Sequence, residues 1–81
     1  MIQDGLEKEV LEEIARKMLV KKEELVLFLE KKVENPVSTV ETIVKLLIDK
    51  GLVTYVEVIG KTCYAITQKG MREVNESWNK P

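Results

Sequence analysis

The chain contains no histidine, which removes the commonest general base and the commonest metal ligand at once. Its single cysteine, Cys63, has no second thiol for an internal disulfide and no histidine with which to share a metal. A reducing, intracellular setting and no metal centre are therefore expected. The glycines are scattered at 5, 51, 60 and 70, so no glycine-rich phosphate loop can be built. No apolar run approaches the roughly 20 residues that cross a bilayer, and Ile2-Gln3-Asp4-Gly5 stands where a secretory leader needs positive charge. The expectation is a cytoplasmic protein with no membrane partner. The carboxylates are interleaved with lysines as on solvated helix faces, and Cys63 reads as a small packing residue on a strand. Catalysis has little to stand on, and a binding protein that is not an enzyme and uses no cofactor is expected.

What is present fits one globular domain spanning 1–81. Of 81 residues, 44% are hydrophobic and 33% charged, which is ordinary globular composition. A chain this short buries only a modest core, a limit that a homodimer would ease. Glu and Lys dominate the charges, a bias reported for proteins of hot environments. The net charge of −1 speaks against a strongly basic, nonspecific nucleic-acid binder. Its distribution is uneven, however. Asp4, Glu7, Glu9, Glu12 and Glu13 face only Lys8 in the first 13 residues, whereas Arg16, Lys17, Lys21, Lys22, Lys31 and Lys32 outnumber the acids of residues 14–32.

Periodicity divides the chain into elements. Asp4 is a candidate N-cap for a first helix from about Gly5 to Lys17, whose apolar stripe is Leu6, Val10, Leu11, Ile14 and Met18. Met18-Leu19-Val20 lacks helical spacing and predicts a short extended segment at a sheet edge. Lys21 and Lys22 open a second helix with the stripe Leu25, Phe28, Leu29 and Val33, and Glu23 and Glu24 sit in its first turn, where the helix dipole favours acids. Asn35-Pro36 breaks the pattern. Ser38 and Glu41 have capping-box spacing, which starts a third helix at Ser38, carried by Val40, Ile43, Val44, Leu47 and Ile48 and closed by Gly51. Leu52 to Ile59 and Thr62 to Thr67 predict a hairpin turning at Gly60-Lys61, and a last helix follows from about Gln68 to Ser77. The fold class is α+β: a three-helix core, a two-stranded antiparallel wing and a C-terminal helix.

If Val40, Ile43, Val44 and Leu47 face the core, then Ser38, Thr39, Glu41, Thr42 and Lys45 project outward. Their hydroxyls can reach phosphates or base edges, Lys45 a phosphate or a guanine, and Glu41 a cytosine amino group. The same spacing equally allows Ser38 and Glu41 to be spent on capping. Lys21 and Lys22 can grip a phosphate backbone or simply be solvated, and Lys61 is the only base at the hairpin tip, next to Val58 and Ile59. Apolar stripes on the terminal helices, through Leu6, Val10, Met71, Val74 and Trp78, can pair two chains across a two-fold axis or pack on their own domain.

The segment from Ser38 to Val53, a helix running into Gly51-Leu52-Val53, resembles the recognition helix and wing entry of winged helix-turn-helix proteins. Tyr64-Ala65-Ile66-Thr67-Gln68-Lys69-Gly70 is similar to the Tyr-x-Leu-Thr-x-x-Gly ending of MarR-like and PadR-like regulators and small archaeal or archaeal-virus relatives. The resemblance covers nearly the whole chain. It implies a transcriptional regulator that binds double-stranded DNA as a homodimer, with helix 38–50 in the major groove. Ser38, Thr39, Glu41, Thr42 and Lys45 then match groove-facing positions, Lys61 the wing tip, and the terminal helices the dimer contact. Such regulators usually carry arginines in the wing and recognition helix, whereas Arg16 and Arg72 lie elsewhere. Winged helices also dock proteins in transcription, replication and membrane-remodelling complexes, and a protein partner is the alternative.

Overall fold

A computed structural model describes the backbone of residues 2–79 and the side chains of residues 5–76. The Trp78 side chain, expected at a dimer contact, lies outside the described residues. Along the chain come α1 (Ile2–Lys17), β1 (Leu19–Lys21), α2 (Lys22–Glu30), α3 (Pro36–Asp49), β2 (Val53–Val58), β3 (Lys61–Ile66) and α4 (Gln68–Asn79). The sheet is antiparallel in the order β1-β3-β2, so β1 pairs at an edge, as Met18-Leu19-Val20 predicts. This is the α+β layout of a winged helix.

The apolar stripes converge on one core, in which Val10, Ile14, Leu25, Leu29 and Val40 are fully buried. Val20, Val53 and Tyr64 cover it from one face of the sheet. Each fully buried Leu or Ile contributes about 1.5–3 kcal/mol by leaving water, so the coincidence of stripes is what selects this packing.

Local boundaries differ from expectation in ways that have physical causes. α1 begins at Ile2, which places Asp4 inside the helix and not at its cap. α3 begins at Pro36, with Asn35 at the N-cap position, so Ser38 is in the helix interior. Proline breaks a helix only from within. At the first position its fixed φ suits the helix and its missing N–H would have no partner anyway. The Ser38 hydroxyl donates a long bond of 3.4 Å to the Asn35 carbonyl. The side-chain half of a capping box is instead found at α2, where the Lys21 N–H donates to the Glu24 carboxylate at 2.9 Å. Gly51 ends α3 with φ +78, the left-handed conformation expected of it. The hairpin turns at Ile59-Gly60, both with positive φ, and Lys61 belongs to β3, paired with Val58.

Candidate nucleic-acid interface

Helix α3 buries Val40, Ile43, Val44 and Leu47. At 100° per residue, the opposite face is centred on Ser38, Thr42, Lys45 and Asp49, flanked by Glu41 on one side and Thr39 on the other. Ser38, Glu41, Thr42 and Lys45 are indeed exposed, and Thr39 is half-buried. Thr39 and Thr42 line a shallow groove with Leu6 of α1, so this flank runs along the seam between two helices. The outward set expected from sequence is therefore brought to one side of α3, with Thr39 at its margin.

Glu41 is neither a cap nor freely solvated. Its carboxylate accepts a 2.6 Å bond from the Lys22 ammonium, which links the first turn of α2 to the face of α3. That bond holds the Lys22 ammonium above its ordinary pKa, outweighing partial burial. The Tyr64 phenol lies within electrostatic range of both partners and of Tyr55. Burial is the main cause that raises its pKa, and the Lys22 charge lowers it in part. Lys22, Glu41, Tyr64 and Tyr55 thus form one polar corner where α2, α3 and the hairpin meet. The sequence carries no signal for this corner, because its members are joined only by tertiary folding.

Strand register separates the neighbouring lysines Lys21 and Lys22. Lys21 pairs with Cys63 and Val58 with Lys61, so Lys21, Val56, Val58, Lys61 and Cys63 all lie on the outer face of the sheet, away from the core-facing Val20, Val53 and Tyr64. Cys63 is only 2% exposed among them and its thiol is free. Among the described residues, Lys21, Lys45 and Lys61 have no ion-pair partner. The acids of α1 are spent elsewhere: Glu7 binds Lys50, Glu9 binds Lys32, and Glu13 binds Arg16 and Lys17. The acidic first helix neutralises its own bases and those that directly follow α2 and α3, and leaves cations free on the α3 face and around the hairpin.

The expected dimer stripe needs correction. Val10 and Val74 are 0% and 4% exposed within this chain, so they are core residues with no surface for a partner. Leu6 and Met71 pack against the same core but stay partly exposed. One-dimensional periodicity shows that a helix face is apolar; it cannot show which neighbour covers it.

The Tyr64-to-Gly70 segment has a structural rationale. The Thr67 hydroxyl donates to the Gly51 carbonyl at 2.7 Å and accepts from the Gly70 N–H at 3.0 Å, which caps α4 and fastens it to the end of α3. A Cβ on Gly70 would stand 2.2 Å from the Leu52 carbonyl oxygen, so glycine lets α4 approach the backbone that enters the wing.

Among the described residues no three Cys, Asp or Glu side chains converge as a metal site, and no helix is long and apolar enough to cross a membrane. No curated protein matches the sequence at a significant level. The penicillinase repressor family matches residues 5–77, and the chain belongs to that family. Its domain is a winged helix, and its members are classed as transcriptional repressors and not as enzymes.

Proposed function

We propose, from membership of the penicillinase repressor family, that this chain is a DNA-binding transcriptional regulator whose α3 enters the major groove. The observation that carries this reading is the exposed face of α3, where Lys45 is unpaired among the described residues beside Ser38, Thr42 and Glu41. Lys61, at the hairpin tip, holds a phosphate of the same duplex, whereas Lys21 lies on the outer sheet face, away from the α3 side. Affinity is modest and salt-dependent, because few cations are free and nearly all nonspecific affinity comes from counterion release. The MarR-like and PadR-like resemblance agrees with this mode of binding.

A homodimer completes the proposal, since two copies of α3 would then address successive major grooves. Leu6 and Met71 supply the partly exposed apolar contact. Light scattering is expected to give the mass of two chains, and a monomer at micromolar concentration would remove this part.

Duplex binding is tested by fluorescence anisotropy on mixed-sequence DNA at several salt concentrations. Lys45→Ala should weaken binding and flatten the plot of log affinity against log salt by about 0.9. Unchanged affinity in Lys45→Ala, or no binding of the native chain at low salt, would overturn the proposal. Exposed Leu19, Val58 and Ile59 support the second reading, a module that docks a protein partner; capture of DNA with no protein would count against it.

A further inference from the structure

Strand β2 is an open edge. The sheet order β1-β3-β2 leaves it bonded on one side only, and among the described residues no backbone hydrogen bond from another element reaches residues 54–58. Natural edges are usually protected by proline, lysine, a bulge or extreme shortness. β2 has none of these: Val53-Thr54-Tyr55-Val56-Glu57-Val58 pairs residue for residue with β3 and carries Glu57 as its one charge. The strand also runs past the helices. Val53 and Tyr55 point to the same face, yet Val53 is 2% exposed and Tyr55 53%, so the helices cover that face at Val53 and no longer at Tyr55. The outer half of the edge is open to a second strand.

Turn geometry sets which groups that edge offers. Ile59 and Gly60 both have positive φ, as in a two-residue type I′ turn, which closes on a hydrogen-bonded pair, here Val58 with Lys61. Hydrogen-bonded pairs alternate along an antiparallel ladder, so Thr54, Val56 and Val58 spend their N–H and C=O groups on β3. Tyr55 and Glu57 turn theirs to the open side.

We propose that the β2 edges of two copies of this chain pair antiparallel about a two-fold axis at Val56. Such an axis keeps each side chain on its own face, so every register is centred on a single residue. A centre at Glu57 sets two carboxylates opposite each other, which is destabilising. A centre at Tyr55 draws the partner strand back to Val53, where the helices begin, and sets Glu57 against that buried valine. A centre at Val56 keeps the contact within residues 54–58. Val56 then faces Val56, Thr54 faces Val58, and Tyr55 exchanges backbone bonds with Glu57 at both symmetric places, with the phenol beside the carboxylate. The pairing draws nothing from the DNA-binding reading, and it is separate from the contact at Leu6 and Met71, which lie on α1 and α4.

A contact this short buries less than a stable interface needs, so it is best captured covalently. The test uses a Cys63→Ala background, because Cys63 is the β3 neighbour of position 56. There Val56→Cys should give a disulfide-linked dimer under mild oxidation, since its two copies face each other in a non-hydrogen-bonded pair with Cα atoms about 4.5 Å apart. Thr54→Cys and Glu57→Cys should link at least tenfold less, because this register holds their copies beyond the roughly 7 Å that a disulfide spans. Both positions are more exposed than Val56, so chance collision would favour them instead.

Charge gives a second reading by sedimentation. Val56→Lys and Val56→Glu should each self-associate at least tenfold more weakly than the native chain, and an equal mixture of the two should recover association. Equal linking at 54, 56 and 57, or no recovery in the mixture, would overturn the pairing. So would the absence of any disulfide at 56, which would assign the edge to an extended segment of a different protein. Failure of the native chain to bind duplex DNA would overturn the proposed function and leave this contact standing.

Discussion

Gly70 and Thr67 illustrate what a single position can decide. Gly70 is buried, and the space that a Cβ would need is filled by the Leu52 carbonyl oxygen at 2.2 Å and the Ile66 Cδ1 at 2.7 Å. The side-chain end could give, but the backbone cannot without shifting α4. Gly70→Ala is therefore expected to destabilise the chain by about 1–3 kcal/mol, the usual range for overpacking. In a domain of this size each kcal/mol lowers the melting temperature by roughly 4–8 °C, which thermal unfolding followed by circular dichroism reads directly. Thr67→Val keeps the shape and removes the hydroxyl that holds the Gly51 carbonyl and the Gly70 N–H. It should cost on the order of 1 kcal/mol, and a melting curve that coincides with that of the native chain would show that the cap contributes nothing. The sequence displays both residues as a motif. The reason for the motif, an approach between α4 and a backbone segment sixteen or more residues earlier, exists only in three dimensions.

Between elements, the Lys22–Glu41 bond is the junction with the clearest functional consequence. It ties α2 to α3 at 2.6 Å and neutralises a lysine beside the exposed face of α3. Glu41→Gln removes the carboxylate charge and releases the ammonium. Duplex binding should then strengthen, and the dependence of log affinity on log salt should steepen by about 0.9, the contribution of one added phosphate contact. A slope identical to that of the native chain would place Lys22 away from the DNA backbone. Helix positions themselves were largely legible. Periods of three and four residues located the core faces of α1, α2 and α3, and Gly51 marked the end of α3. Helix starts are less legible, because Ser38-x-x-Glu41 resembles a capping box, and only the geometry reveals that Pro36 has already begun the helix and that Glu41 is held by another element. The turn lies at Ile59-Gly60, one residue before the expected Gly60-Lys61, for a similar reason. Gly60 signals a turn, but Ile59 hides its other half, since a β-branched residue is the last expected at positive φ.

For the molecule as a whole, net charge is a poor guide and its folded arrangement a better one. The acidic first helix and the basic segment that follows suggest a polar chain, yet Glu7, Glu9 and Glu13 pair with Lys50, Lys32, Arg16 and Lys17. Most of these pairs are exposed and add little stability individually; their effect is to decide where positive charge remains. Global stability carries a pH signature from the corner where α2, α3 and the hairpin meet. Hydrogen bonding to Glu41 raises the Lys22 pKa from 10.5, and burial raises that of Tyr64 from 10.0. Both groups bind their protons more tightly when folded, so their stabilisation is fully present below about pH 10 and is lost as pH rises through the raised values. Chemical denaturation at pH 9 and at pH 11 should show a lower midpoint at the higher value. Phe in place of Tyr64 should shrink that difference, and an unchanged difference would assign the alkaline loss to Lys22.

Sequence alone determined the order of elements, the core stripes of α1 to α3, the end of α3 and the family-like motifs, because helix period, strand composition and turn glycines are local properties of the chain. Tertiary structure decided which acids and bases neutralise one another, that Val10 and Val74 belong to the core and not to a partner, that Lys21 and Lys22 serve opposite sides of the fold, and that Ile59 stands strained and bare at the wing tip. Each of these depends on which distant segments meet, and contact between distant segments is set by packing and strand register and not by any spacing along the chain.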